Sequence, residues 1–313
     1  MAVKLTKRGT EILWDMFRLR YMTSTQVQKL HFKGVGGRIG PKKAAERELR
    51  FLTEADYVRR IILPSYIGQG RQPYVYALAP RGAQVVAALF DVSLTEIDVR
   101  PKDLEGNYPF LSHLLATNNF YVALTQACEL TGVKLVAWLD ELELRRQRQQ
   151  QYINVPLPGG EVMKAALIPD GLFVIEQIID GEPLTSLCFV EVDQKTVTLA
   201  PAEYTTRSWA KKVAVYRAYF ASDAYRNEFG KRVARVLAIT LGRQRLNNML
   251  AATLGVGGNY QFWFADQADA CDPNQLLTST IWSLAGDADQ DTGAQYIKPL
   301  IVLKNAQPAS ASE

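Results

Sequence analysis

The sequence predicts a mixed α and β chain built as two modules: a small helical module closed by a β-hairpin, then a larger mixed β-sheet flanked by helices. Three observations predict this. Charge is uneven, since residues 1–81 hold 16 Lys+Arg against 6 Asp+Glu (net +10) and the other 232 residues hold 20 against 26 (net −6). Apolar spacing is helical through most of the first 55 residues and then switches to short β-rich runs. From about residue 152, β-rich runs alternate with helical segments, and a strand–helix–strand order over 235–266 predicts a parallel pair. With 48% hydrophobic and 22% charged residues, a chain of 313 can fill two cores.

Composition removes several classes. The 3 cysteines (Cys128, Cys188, Cys271) are far apart with no CxxC, which argues against a disulfide framework or zinc finger and predicts a cytoplasmic protein. The 2 histidines, His31 and His113, cannot build an HExxH protease or a histidine-rich metal centre. No apolar run approaches a membrane span, and the first residues lack the apolar stretch of a signal peptide, so no membrane partner is expected. The run Gly34–Gly37 lacks the strand–turn–helix setting of a nucleotide site.

In chain order, residues 6–20 put Ile12, Leu13, Met16 and Phe17 on one helical face. Thr23 to Gln26 fits a capping box opening a short second helix. After a glycine-rich loop, Pro41 suits the first turn of a third helix. The runs 58–63 and 73–78 read as a hairpin. Helix–helix–helix–hairpin is the order of a winged helix-turn-helix. On the third helix Ala45, Leu49 and Leu52 face the core, and Lys43, Arg47 and Arg50 form a basic stripe turned away from it, joined by Lys42. A solvated charged face would look the same in isolation. Here helix order, hairpin and the +10 excess agree on duplex DNA as the partner. Arg71 at the hairpin tip, with Arg59 and Arg60 at its base, would contact phosphates. The expected boundaries are 1–90 for this module, 91–110 for a linker, 111–305 for the second module and 306–313 for a disordered tail.

In the second module a long helix is expected from about Leu111 to Leu130, a new segment at 138–144, and β-rich runs between 152 and 193. A helix over 203–222 follows, then the strand–helix–strand unit, whose helix starts near Gly242. Asp170 stands immediately before one apolar strand, and Glu191 and Asp193 at the end of the next. Their spacing of two puts Glu191 and Asp193 on one face. Two or three such oxygens at adjacent strand ends suit Mg²⁺ or Mn²⁺, because burying them together is costly without a cation. Lys212 and Tyr216, four apart, share a helix face beside them. Spacing alone also admits a turn residue, two rim charges and a solvated lysine.

Pro169-Asp170 and Glu191-Val-Asp193 resemble the Pro-Asp and acid-x-Lys strands of metal-dependent nucleases with the PD-(D/E)xK, restriction-endonuclease-like fold. Asp193 stands where that pattern has lysine, and Lys212 from the next helix would replace it, Lys195 being a weaker substitute. Over roughly 8–285 the chain is similar to the replication-relaxation family, linked to mobilisation of plasmids and conjugative elements. The resemblance rests on Tyr74–Gly82, His113-Leu-Leu, Trp138–Glu141, Ile168–Gly171, Val190–Asp193, Lys212–Tyr216 and Thr278–Trp282 in that order. A related class of conjugative relaxases, MOB-C, also uses a restriction-endonuclease-like domain.

The resemblance implies a metal-dependent DNA nickase or relaxase-like protein acting on plasmid or mobile-element DNA, at transfer or replication initiation. Asp170 and Glu191 would bind the ion, Asp193 would assist, Glu141 would add a helix-borne carboxylate, and Lys212 would steady the phosphate. His113 would orient a water or phosphate, or pack. Arg243 and Arg245 would contact phosphate from the start of the late helix, or stand as surface arginines. Implied partners are duplex DNA, single-stranded DNA at a nick, conjugation or replication proteins, and a second copy of the chain. The competing class is a non-catalytic regulator, replication initiator or relaxosome accessory protein that keeps a degenerate nuclease fold as scaffold. A third is a transcription factor sensing a small ligand between strands 168–175 and 187–193.

Overall fold

The computed structural model describes residues 5–34, 40–63, 73–97, 108–147, 152–156, 160–195, 197–199, 208–288 and 295–302. Arg71, half of the expected linker (98–107) and the expected tail lie outside them. Among the described residues no helix is long and apolar enough to cross a membrane. The chain forms two compact units, Met1–Val122 and Ala123–Glu313.

The first unit opens with α1 (Lys7–Leu19), capped by the Thr6 side chain accepting from Gly9 N at 2.9 Å, and buries Ile12, Leu13, Met16 and Leu19. A short strand β1 (Tyr21–Thr23) leads into α2 (Ser24–His31). The capping box is present: Thr23 Oγ1 accepts from Gln26 N at 3.2 Å, and Gln26 Oε1 accepts from Thr23 N at 2.8 Å. Helix α3 (Pro41–Glu54) has Pro41 in its first turn and buries Ala44, Ala45, Leu49 and Leu52. Strands β2 (Val58–Ile61) and β3 (Val75–Leu78) pair antiparallel, and β1 completes a sheet of order β1-β3-β2.

Helix α4 (Pro80–Phe90) follows at once, and Gly82 is required there: a Cβ would lie 2.1 Å from the Tyr57 carbonyl oxygen. Helix α5 (Tyr108–Thr131) runs through the boundary between the units. Its first half is tied to the first unit. Asn118 Nδ2 donates to the carbonyls of Leu19 and Tyr21 at 3.0 and 2.8 Å, and the buried Gln26 donates to Leu115 O and Asn119 Oδ1 at 3.0 and 2.8 Å.

The second unit is built on a seven-stranded sheet. Its edge is β4 (Lys134–Asp140), where the sequence showed only the start of a new segment near 138; α6 (Glu141–Gln147) follows directly. Strands β5 (Tyr152–Pro156) and β6 (Val162–Ala166) form a separate hairpin. Then come β7 (Gly171–Ile179) and β8 (Glu182–Asp193), α7 (Trp209–Ala221), α8 (Asp223–Phe229), β9 (Ala234–Thr240), α9 (Arg243–Gly255), β10 (Phe262–Asp266), α10 (Gln267–Ala270), β11 (Trp282–Ala288) and β12 (Gln295–Lys298). The order across the sheet is β12-β11-β10-β9-β8-β7-β4. Strands β4, β7 and β8 form an antiparallel meander, and β8, β9 and β10 are parallel.

Alternation along these strands gives the sheet one aromatic face, with Leu172, Phe189, Val236, Phe262 and Phe264 packed in one core with Trp209, Val213, Tyr216 and Met249 of α7 and α9. Trp209 meets Phe264 edge-on at 5.9 Å and donates to Thr253 Oγ1 at 2.7 Å, which locks α7 to α9. Phe189 and Tyr216 stand edge-to-face at 5.7 Å. Burying such aromatic area dominates the stability of the unit.

Candidate functional site

Register places the acidic residues at one level of the sheet. Asp140 of β4 is opposite Gly171 of β7, which is opposite Val190 of β8. Glu141, Asp170 and Glu191 are therefore next in line across three neighbouring strands. Gly171 makes this geometry possible, because a Cβ there would lie 2.8 Å from the Trp138 ring. Asp170 is fastened on both sides of Glu191: its N–H donates to Val190 O at 3.1 Å, and its Oδ2 accepts from Val192 N at 2.7 Å.

Glu191 is the buried centre of the site, with 3% of its side chain exposed. Its Oε1 accepts from Tyr216 OH at 2.6 Å, and Lys212 Nζ donates to its Oε2. Both partners come from the face of α7 that the sequence assigns them. Burial pushes the Glu191 carboxyl up to about 7, the neighbouring Asp170 charge adds to the rise, and Lys212 and the two hydrogen bonds oppose it. A carboxylate near neutrality, one cation and a second carboxylate thus converge in one place, a combination associated with functional sites.

The other expected residues separate from this group. Asp193 lies on the same face but its carboxylate is spoken for: Arg245 donates to Oδ2 at 2.8 Å and to Oδ1 at 3.0 Å, and Thr240 OH donates to Oδ2 at 2.7 Å. Arg245 also donates to Val197 O at 2.5 Å, so it bridges α9 to the chain leaving β8. Two residues of strand displace Asp193 by roughly 6.6 Å from Glu191, toward α9 instead of Lys212. The three-carboxylate ligand set is accordingly not assembled, and Arg245 faces a carboxylate where a phosphate was expected. Among the described residues no three His, Cys, Asp or Glu side chains are grouped to hold a metal.

Glu141 pairs with Arg145 one turn on, at 2.7 Å. Arg243 is exposed in the first turn of α9. His113 is half-buried in the part of α5 that belongs to the first unit, while the carboxylates belong to the second. In the first unit Lys42, Lys43, Arg47 and Arg50 are all exposed along α3. Arg59 is half-buried and Arg60 exposed on β2, with the Arg60 guanidinium 4.8 Å from the Tyr74 ring centroid. The sequence reading passed over Thr240, the polar end of the apolar run Val236–Ile239, which is the signal that it has a partner.

The replication-relaxation family model matches residues 13–233, well over half of the chain. The chain belongs to the replication-relaxation family. Membership points to the replication or relaxation of plasmid or mobile-element DNA. The family match spans Asp170, Glu191, Lys212 and Tyr216 and ends before Arg243 and Arg245. No curated protein and no solved structure matches the chain.

Proposed function

We propose that this replication-relaxation protein binds duplex DNA through its first unit, a winged helix-turn-helix, and nicks DNA through a divalent-metal site in its second, restriction-endonuclease-like unit. The observation that carries the reading is the buried Glu191 held between Asp170, Lys212 and Tyr216 at one level of the sheet. The strand order supports it: an antiparallel meander carrying Pro-Asp and an acid, a crossover helix carrying the lysine, then a parallel strand.

The donor chemistry fits Mg²⁺ or Mn²⁺. Two adjacent carboxylates with one shared excess of negative charge suit a hard ion that keeps most of its waters and takes phosphate oxygens as further ligands. Asp170 and Glu191 would hold it; Asp193, engaged by Arg245, is left out of the ligand set. A bound ion would supply Lewis-acid polarisation of the phosphodiester and a more acidic water. Tyr216 anchors Glu191 Oε1, so that Oε2, on the Lys212 side, is the oxygen that would be shared with an ion. Lys212, 29% exposed, supplies positive charge beside the scissile phosphate and takes the place of the missing acid-x-Lys lysine. On α3, Lys43, Arg47 and Arg50 would meet base edges or phosphates, with Lys42, Arg59 and Arg60 positioning the backbone.

The test is relaxation of supercoiled plasmid carrying the cognate origin. Wild type with Mn²⁺ should give open circles, and Asp170→Ala should not; equal products from both would remove the nuclease reading. A scaffold role is favoured by one observation, that Asp193 is committed to Arg245. In that case the first unit would still bind DNA, and neither protein would nick.

A further inference from the structure

The aromatic face of the sheet carries the carboxylates; the opposite face carries a separate cavity of about 480 Å³ at the other end of β7 and β8. Leu184, Arg235, Trp263, Lys298, Leu300 and Ile301 are among its lining residues. Ser186, also lining it, is five residues before Glu191 on β8, which is roughly 17 Å along an extended strand and on the other side of the sheet. The cavity therefore stands apart from the proposed nuclease site and does not depend on that reading.

Its chemistry is asymmetric. Most of the lining is aliphatic or aromatic, the exceptions being Gln177, Ser186, Arg235 and Lys298, and among the described residues no carboxylate lines it. At its base, Arg235 is half-buried with its guanidinium 4.8 Å from the Trp263 ring centroid. Its hydrogen bonds, to Ser186 Oγ and Leu300 O, are both long at 3.4 Å and both to neutral acceptors. Cys188 beside it is also neutral, since burial pushes that thiol up to about 12. Among the described residues no acidic side chain pairs with Arg235. Taking a guanidinium out of water without a counter-charge is unfavourable, and its planar fork is suited to an oxyanion. Glu182, at the end of the β7–β8 hairpin, does not line the cavity. The volume lies in the range of small-molecule sites.

We propose that this cavity binds a small amphipathic anion, with an apolar body against Leu184, Trp263, Leu300 and Ile301 and one carboxylate or sulfonate on Arg235. The full chain is titrated with 8-anilinonaphthalene-1-sulfonate, an aromatic sulfonate that brightens in apolar surroundings, and then with decanoate as competitor. One saturable site per chain, displaced by decanoate, is expected. Arg235→Gln should weaken it at least about tenfold while near-UV circular dichroism is retained. Leu184→Glu, at a position 49% exposed, should do the same by placing negative charge in the lining. That second variant decides the matter if Arg235→Gln does not fold. Unsaturable binding, no displacement by decanoate, or wild-type affinity in Leu184→Glu would overturn the proposal.

Discussion

Glu191 is the residue on which most of the chemistry converges, and its protonation makes a stability prediction. Its carboxyl is raised from 4.5 to about 7 in the folded chain. Between those values the folded state holds a proton that the unfolded state has released, so the contribution of Glu191 to stability falls as pH rises through that window and is constant on either side of it. The shift corresponds to at most about 3 kcal/mol. Urea unfolding at pH 5 and pH 8 should show wild type losing more stability across the interval than Glu191→Gln does; equal losses would mean that Glu191 is not held at a raised value.

Asp193 and Arg245 make the opposite kind of pair. With 8% and 17% of their side chains exposed and three hydrogen bonds between Arg245 and its acceptors, they are structural. Arg245→Ala leaves a buried carboxylate with only Thr240, and should cost roughly 3 kcal/mol. The double variant Asp193→Leu, Arg245→Met should cost less than the sum of the singles, since no charge is left buried. Additive costs in denaturant titrations would contradict the pairing.

At the scale of elements, the segment from Ile168 to Gly171 owes its form to a neighbour. Trp138 of β4 fills the space where a side chain at 171 would go, so Gly171→Ala should destabilise the second unit by about 1–3 kcal/mol through overpacking. It should also displace Asp170, the next residue. On α3, Arg47→Ala and Arg50→Ala should each weaken duplex binding across sequences and lower the slope of log affinity against log salt by about 1. Unchanged slopes would move DNA binding off this helix.

Much of this local structure was legible. The α2 capping box, Pro41 at the start of α3, the core trio Ala45, Leu49 and Leu52, and the parallel β9–α9–β10 unit all follow from turn chemistry and periodicity. Strands β1, β4, β11 and β12 were not legible. β1 and β12 are 3 and 4 residues long, and the edge strand β4 carries a register shift between Leu135 and Ala137 that breaks its alternation.

For the whole molecule, the uneven charge is the feature that organises the account. The basic excess of the first 81 residues is displayed along α3 and β2, while part of the acidic excess is gathered at Asp170 and Glu191. The sequence could indicate that those two carboxylates, Lys212 and Tyr216 share a site, because each lies at a strand end or on one helix face. It could not indicate that Asp193 departs from them, because its partner Arg245 is 52 residues away in sequence and its approach depends on how α9 crosses the sheet. Nor could it show the cavity around Arg235, whose walls come from strands far apart in the chain.

Asp170 and Glu191 are the residues proposed to take a divalent cation. Calorimetric titration of the full chain with Mn²⁺ tests this most directly, and requires no knowledge of the DNA sequence recognised. One ion should bind per chain, with binding abolished in both Asp170→Asn and Glu191→Gln and retained in Asp193→Asn. Absence of binding to the wild type, or binding that survives in Glu191→Gln, would contradict it.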